Sequence, residues 1–252
     1  MHARMTSPAS DLERAAVARL LSIGFTCPDR ATVDELRALS AALAEGASSG
    51  DPIVGLVDAL ADEQAVSDMP YAFEALFGGQ VPCPPYEASY EPDPFRGTRQ
   101  MADAAGFYRA FGATANGPAS ERPDHVACQL EFLAFVAARR MAAEAAGDAE
   151  AQAVCAETED EFLRQHVGRF MGAVCASMDE ATDSRIYRAL AHVGSGFIEA
   201  ELAARGIEPA PVRRPGPSAV EGDEVVCGGA GCALTSLIGR SGPAAAGNGT
   251  PG

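Results

Sequence analysis

The sequence predicts an all-α protein: a single helical bundle of about eight or nine helices with a flexible C-terminal tail. Apolar residues recur at helical spacing through most of the first 206 positions. Capping patterns and glycine stops separate these segments, and no segment alternates polar and apolar residues as a strand does. Apolar residues make up 47% of the 252 positions, so the chain can bury a sizeable core.

Three helices are predicted in the first part of the chain from their N-terminal caps. Two starts have the spacing of a capping box, in which serine or threonine precedes glutamate by three positions. The third start is an aspartate followed by a proline, which suits the first helical turn. The predicted spans are about 10–24, 32–44 and 51–60.

The later helices are predicted from apolar periodicity and from the glycines and prolines that interrupt it. A short helix is followed by prolines between positions 82 and 94, which force the chain into an extended loop. One long segment is expected to break near His166. The predicted spans are about 69–77, 98–111, 123–146, 149–178 and 183–204.

The composition divides the chain into two regions. Residues 1–206 carry the helical patterns and predict one all-helical domain. Residues 207–252 are rich in proline, glycine, alanine and serine, which predicts a disordered tail that does not pack on the domain.

Charge and residue usage exclude several classes of function. The net charge is −16, which disfavours binding to nucleic acid. The chain contains no lysine, which excludes a Walker A phosphate loop and a Schiff-base amine. Seven cysteines at irregular spacing do not predict a disulfide framework. With no signal-peptide pattern and no long apolar run, the chain is expected to be cytoplasmic.

The proline-rich loop is the first candidate binding feature. Pro84 and Pro85 fix the backbone, so the loop loses little entropy when a ligand binds. Tyr86 and Tyr90 offer ring surfaces, and Glu87 between them offers a carboxylate, which suits a peptide that carries arginine. The alternative is a structural crossover whose tyrosines pack inward.

The second candidate feature is the start of the helix predicted at Pro123. Asp124, Cys128 and Glu131 are spaced to form a polar edge beside the apolar face of that helix, with His125 next to the aspartate. This edge could pair with arginines of a ligand. Two alternatives remain: Asp124 is simply a helix cap, or Cys128 and His125 form a nucleophile and base of an enzyme.

Cys227 and Cys232 flank a glycine-rich run in the predicted tail. They are weak candidates for half of a metal site or for a redox pair, because two ligands do not complete a tetrahedral site. A metal- or cofactor-handling protein is therefore the alternative function. His166, alone in an apolar segment, is expected to be a satisfied core residue.

In their order along the chain, three stretches resemble the TorD/DmsD/NarJ family of redox-enzyme maturation chaperones. They are the loop 84–90, the segment 123–134 that contains Pro-Asp-His, and the segment 162–166. The Leu-Phe-Gly sequence at 76–78 also fits. The family commonly has tryptophan at the positions of Tyr86 and Phe170, and these substitutions bear on peptide specificity rather than on the core.

The resemblance implies a cytoplasmic chaperone with no enzymatic activity and no cofactor of its own. Such proteins bind the apo catalytic subunit of a molybdopterin oxidoreductase, often at its twin-arginine leader, until the cofactor is inserted. By family position, Asp124 and His125 come first as peptide-binding residues, and Tyr86 and Glu87 second. The resemblance allows a monomer or a homodimer, and it leaves the client enzyme open.

Overall fold

The computed structural model describes residues 10–78, 82–113 and 121–215. These residues form ten α-helices and one 3₁₀ helix, and they contain no named strand, which confirms the all-α prediction. The elements are α1 (Asp11–Gly24), α2 (Arg30–Ala44), α3 (Pro52–Leu60), α4 (Glu63–Ser67), α5 (Met69–Phe77), the 3₁₀ helix (Glu87–Tyr90), α6 (Pro94–Ala110), α7 (Val126–Ala146), α8 (Ala149–Gln165), α9 (Val167–Ala181) and α10 (Arg185–Arg205).

The first two helix starts show which capping signals form. Ser10 and Glu13 form the predicted capping box, each side chain bonding the other residue's backbone N–H. The box predicted at Thr32 does not form. Instead Asp29 caps α2 and accepts the Thr32 N–H at 2.8 Å, because an aspartate three positions upstream satisfies that donor first.

Three further boundaries differ from the prediction. The Asp93 carboxylate accepts the Phe95 N–H at 3.0 Å, so α6 begins at Pro94 instead of position 98. α7 begins at Val126 instead of position 123, because His125 is its N-cap. The five-residue α4 was not predicted, since it is too short to show a helical period.

The break predicted near His166 is confirmed. α8 ends at Gln165 and α9 begins at Val167, with His166 between them outside the helical region of backbone conformation. The chain turns so tightly here that a side chain at Gly168 would lie 2.2 Å from the carbonyl oxygen of Leu163. The glycine therefore permits the close approach of α9 to α8.

The helices bury one continuous core that contains a cluster of aromatic rings. α1 packs against α2, α7 and α10, while α9 contacts α8 and α10. The ring centroids of Phe132 and Phe162 are 4.8 Å apart, and those of Phe132 and Tyr108 are 4.9 Å apart. These contacts hold α6, α7 and α8 together, and the Tyr108 hydroxyl donates to the Pro123 carbonyl at 2.7 Å, just before α7 begins.

The described part of the predicted tail contacts the helical body. α10 ends at the left-handed Gly206, with φ 61°, and Ile207 after it is only 6% exposed. The Arg213 N–H donates to the Tyr90 carbonyl at 3.3 Å. The Arg214 guanidinium donates to Ser177 Oγ at 2.8 Å. Ile207, Arg213 and Arg214 therefore contact the helical body, while residues 216–252, which make up most of the predicted tail, lie outside the described residues.

Across the described ranges, no helix has both the length and the apolarity needed to cross a membrane.

Candidate functional site

The proline-rich loop pairs with the chain just before α7. The Val126 N–H donates to the Pro85 carbonyl at 2.8 Å, and the Glu87 N–H donates to the Asp124 carbonyl at 2.9 Å. Between these two bonds, Tyr86 and His125 form an antiparallel bridge. The structure thus brings Tyr86, Glu87, Asp124 and His125 together in one block.

The carboxylate of Asp124 holds an arginine of the same chain. Arg122 donates from Nε to Oδ1 at 3.0 Å and from Nη2 to Oδ2 at 2.8 Å. The same Oδ2 accepts the Ala88 N–H at 3.2 Å. The guanidinium carbon of Arg122 also lies 4.6 Å from the centre of the Tyr86 ring. The buried carboxylate of Asp124 and the ring of Tyr86 therefore contact the guanidinium of Arg122 from two sides.

Tyr86 is the half-buried member of this group. Its hydroxyl donates to Glu121 Oε2 at 3.0 Å, and its ring meets the His125 ring edge to face at 5.1 Å. Burial and the neighbouring Glu121 carboxylate raise the pKa of Tyr86 above its ordinary value. The phenol therefore stays neutral and offers its face to a cation.

His125 is the N-cap of α7. Its Nδ1 accepts the Ala127 N–H at 3.1 Å. Burial lowers the pKa of His125 to about 4, so the imidazole is neutral near pH 7. Because Nδ1 is engaged in the cap, His125 has a structural role at the start of α7. Cys128 itself is buried in the first turn of α7.

Glu87 lies at the centre of a buried polar cluster. Its Oε2 accepts from Gln129 Nε2 at 2.8 Å and lies 3.0 Å from His166 Nδ1. Its Oε1 accepts from Arg169 at 3.3 Å. Arg169 bonds Glu91 as well. The cluster ties the 3₁₀ helix to α7 and α9, so Glu87 positions the loop and is not exposed to a ligand.

His166 meets the expectation of a buried polar core residue, with one nitrogen incompletely satisfied. Its ring is 1% exposed and packs against Phe162, with centroids 5.0 Å apart. Nδ1 bonds Glu87, while Nε2 has no hydrogen-bond partner within the described structure and lies 3.5 Å from Asp103 Oδ2.

Tyr90 and Glu131 make their contacts with other residues. The Tyr90 hydroxyl donates to the Pro84 carbonyl at 3.1 Å, and its ring packs 5.5 Å from Phe170. Tyr90 therefore packs inward, as the structural alternative for the loop required. Glu131 accepts from Arg19 of α1 at 3.1 Å. The predicted polar edge does not form, because Asp124 precedes the helix that carries Glu131.

The part of the chain that the structure describes contains no group of three or more histidine, cysteine, aspartate or glutamate side chains suited to a metal ion. Cys227 and Cys232 lie outside the described residues.

Comparison with known proteins places the chain in a family. Residues 34–176 match the family model for the nitrate reductase delta subunit, which is more than half of the chain. The chain belongs to the nitrate reductase delta subunit family. This match confirms the resemblance drawn from the loop and from the Pro-Asp-His segment.

One relative of this delta-subunit family protein and one solved structure extend the comparison. The chain is 26% identical over 102 residues to the perchlorate reductase assembly chaperone protein of Dechloromonas aromatica (strain RCB), over 40% of this chain and 45% of that one. It therefore spans less than half the length of that relative. A crystal structure of a redox enzyme maturation protein from Archaeoglobus fulgidus superposes with a TM-score of 0.50 at 20% identity, covering 78% of this chain and 98% of that one. The likeness in structure supports the helical fold.

The segment that matches the delta-subunit family contains the whole block around the loop. Sequence reasoning missed three residues that bond to this block, Arg122, Gln129 and Arg169. Arg122 stands two positions before Asp124, and Arg169 stands three positions after His166. Nearness to a predicted acid or histidine was the only signal that could have pointed to either arginine.

Proposed function

We propose that this protein is an assembly chaperone for a molybdopterin oxidoreductase. In this proposal it binds the apo catalytic subunit, or its twin-arginine leader, in the cytoplasm and holds it until the cofactor is inserted and export can follow. The protein performs no chemical transformation. Its membership of the delta-subunit family and its similarity to an assembly chaperone support this assignment.

One observation carries the part of the proposal that concerns arginine. The Asp124 carboxylate makes two hydrogen bonds to a guanidinium whose carbon lies 4.6 Å from the centre of the Tyr86 ring. A bidentate carboxylate beside an aromatic face distinguishes arginine from other side chains. A twin-arginine leader has two arginines followed by an apolar stretch. The block thus offers the chemistry that such a leader requires.

An exposed ring and the overall charge favour the same ligand. Phe95, in the first turn of α6, is 85% exposed. In the same turn Gly97 packs so closely on the loop that a side chain there would lie 3.0 Å from Ala88. We assign Phe95 to the apolar part of the leader. The net charge of −16 attracts a cationic segment from a distance.

Calorimetric titration with a synthetic leader peptide tests this function. The peptide carries two consecutive arginines and an apolar segment, and a second peptide has glutamine in place of both arginines. Asp124→Asn should weaken binding of the arginine peptide by roughly tenfold or more, because a charge-assisted bidentate pair is lost. Circular dichroism establishes that the variant is folded.

The matched control is Asp34→Asn, which removes one negative charge from a carboxylate that is 64% exposed and lies 3.9 Å from Arg30 Nε. Equal affinities of the Asp124 and Asp34 variants would rule out the proposed contact. A pull-down with the apo catalytic subunit, with and without its leader, separates leader binding from binding of the mature part. Capture of neither form by the wild-type protein would end the proposal.

A further inference from the structure

We infer that Asp124 and the Tyr86 ring form a receptor for one guanidinium group, and that Arg122 fills this receptor until an arginine from a bound polypeptide replaces it. The identity of the incoming arginine rests on the proposed function. The receptor itself is a property of this chain, so it can be tested without any client protein.

The two sides of the pair differ in how firmly they are held. The Asp124 side chain is 0% exposed, whereas that of Arg122 is 50% exposed. Asp124 is fixed further by the Ala88 N–H on its carboxylate and by the Glu87 N–H on its carbonyl. The receptor is therefore rigid and set in the fold, while its occupant reaches it from the solvent side.

An empty receptor would destabilise the protein. If Arg122 left and nothing replaced it, a buried carboxylate would remain without a cation. An incoming guanidinium removes that penalty, so exchange is favoured over simple release. The planar fork of arginine matches both carboxylate oxygens and stacks on the ring, whereas a lysine ammonium does neither. The receptor should therefore select arginine over lysine in the client.

The acid–arginine pair at Glu87 does not offer the same exchange. The Arg169 side chain is 7% exposed and bonds two carboxylates, Glu87 and Glu91. An incoming arginine could reach it only by opening the core. Of these two pairs, the one between Asp124 and Arg122 is open to solvent and presents a ring to the guanidinium.

Chemical rescue tests the receptor directly. Arg122→Ala empties it, and methylguanidinium at millimolar concentration should then raise the melting temperature of the variant in a saturable way. Methylammonium, which has the same charge but no fork, should have no such effect. Three controls should also show no rescue: the wild type, whose receptor is occupied; the double variant Arg122→Ala with Asp124→Asn; and Arg30→Ala, which removes an arginine whose side chain is 97% exposed.

Peptide affinity then tests the competition. The Arg122→Ala variant should bind the twin-arginine peptide about five- to tenfold more tightly than the Arg30→Ala variant. The reason is that a larger fraction of its molecules has a receptor that no arginine of the chain occupies. The Arg30 variant is the reference because it has the same net charge. If the alanine variant does not fold, Arg122→Gln, which keeps one donor for Asp124, replaces it in both assays.

The outcomes separate the two hypotheses. Rescue by methylguanidinium with no peptide binding by any variant supports the receptor and contradicts the proposed leader binding. Peptide binding that is equal in the Arg122 and Arg30 variants, with no rescue, overturns the receptor and leaves the chaperone function intact. Equal rescue by methylammonium also overturns it, because the site would then respond to charge alone.

Discussion

Tyr86 and His125 form an antiparallel bridge between the proline-rich loop and the start of α7, and their rings meet edge to face 5.1 Å apart. Backbone bonds on both sides of this bridge join the two segments. The loop is therefore not an independent flap: it is fixed to the cap of the longest helix in the site. Substitutions at the N-cap of α7 should therefore alter the conformation of the loop, and substitutions beneath the loop should alter the geometry of the cap.

The cap makes stability depend on pH in a defined direction. The pKa of His125 is about 4 in the folded protein, below the ordinary value of about 6.5 expected in the unfolded chain. Its contribution is therefore complete above about pH 6.5 and is lost as the pH falls towards 4, amounting to about 3 kcal/mol. His125→Asn retains a cap acceptor that does not titrate, so its stability should fall less over this range.

Urea unfolding of both proteins across that pH range measures the difference. The control is His192→Asn, which replaces an exposed imidazole. Parallel stability curves for the wild type and the His125 variant would contradict a buried, neutral cap.

A single substitution in the buried polar cluster around Glu87 should markedly lower the stability of the protein. Glu87→Gln removes one of the two carboxylate charges that pair with Arg169 in the core and weakens the bonds from Gln129 and His166. The unfolding free energy should fall by about 2 kcal/mol, because these buried bonds lose their charged acceptor while Arg169 keeps Glu91. Glu63→Gln is the matched control, since that carboxylate is 81% exposed and pairs with Arg37, and its loss should cost under about 0.5 kcal/mol. Similar losses in the two variants, measured by denaturant titration, would mean that the cluster contributes little.

Local signals in the sequence were sufficient for most of the fold. The Ser10 cap, the glycine after α10 and the break at His166 involve residues close in sequence, so patterns of a few residues predict them. The predicted start of α7, at position 123, is too early: His125 caps the helix, and the Asp124 carboxylate accepts the Ala88 N–H from the loop. The spacing of apolar residues along one helix cannot predict a contact with a distant loop.

The sequence predicted that four residues would lie close together, but it did not predict which arginines pair with them. Tyr86, Glu87, Asp124 and His125 do lie together, as the ordered motifs indicated. The sequence could not show that Arg122 and Arg169 already occupy the carboxylates. Which arginine reaches a buried acid depends on how α7, α9 and the loop pack, and residue spacing does not contain that information.

Two glycines of α9 should respond to alanine in opposite ways. A side chain at Gly168 would lie 2.2 Å from the Leu163 carbonyl and 3.0 Å from Leu202, so Gly168→Ala should destabilise the protein by roughly 2 kcal/mol. Gly172 has nothing within 4 Å of that position, and Gly172→Ala should stabilise the protein by up to about 1 kcal/mol through helix propensity. The two variants have the same composition, so thermal unfolding compares position alone. A shift of the same sign in both would show that the turn at His166 does not need the glycine.

The Tyr86 ring and its hydroxyl make separable contributions to arginine binding. Tyr86→Phe keeps the face that lies over the guanidinium and loses the bond to Glu121, whereas Tyr86→Leu loses both. A cation–π contact contributes about 0.5–2 kcal/mol. The leucine variant should therefore bind the twin-arginine peptide roughly three- to tenfold more weakly than the phenylalanine variant, which should stay close to the wild type.

Titration calorimetry of the two variants with the twin-arginine peptide measures that ratio. Tyr71→Leu, which removes an 82% exposed ring from α5, controls for the loss of any surface tyrosine. Equal weakening in the phenylalanine and leucine variants would assign recognition to the hydroxyl and Glu121, because the ring is present in one and absent in the other. A deficit confined to leucine would assign it to the ring face, which is the surface that the receptor for a guanidinium requires.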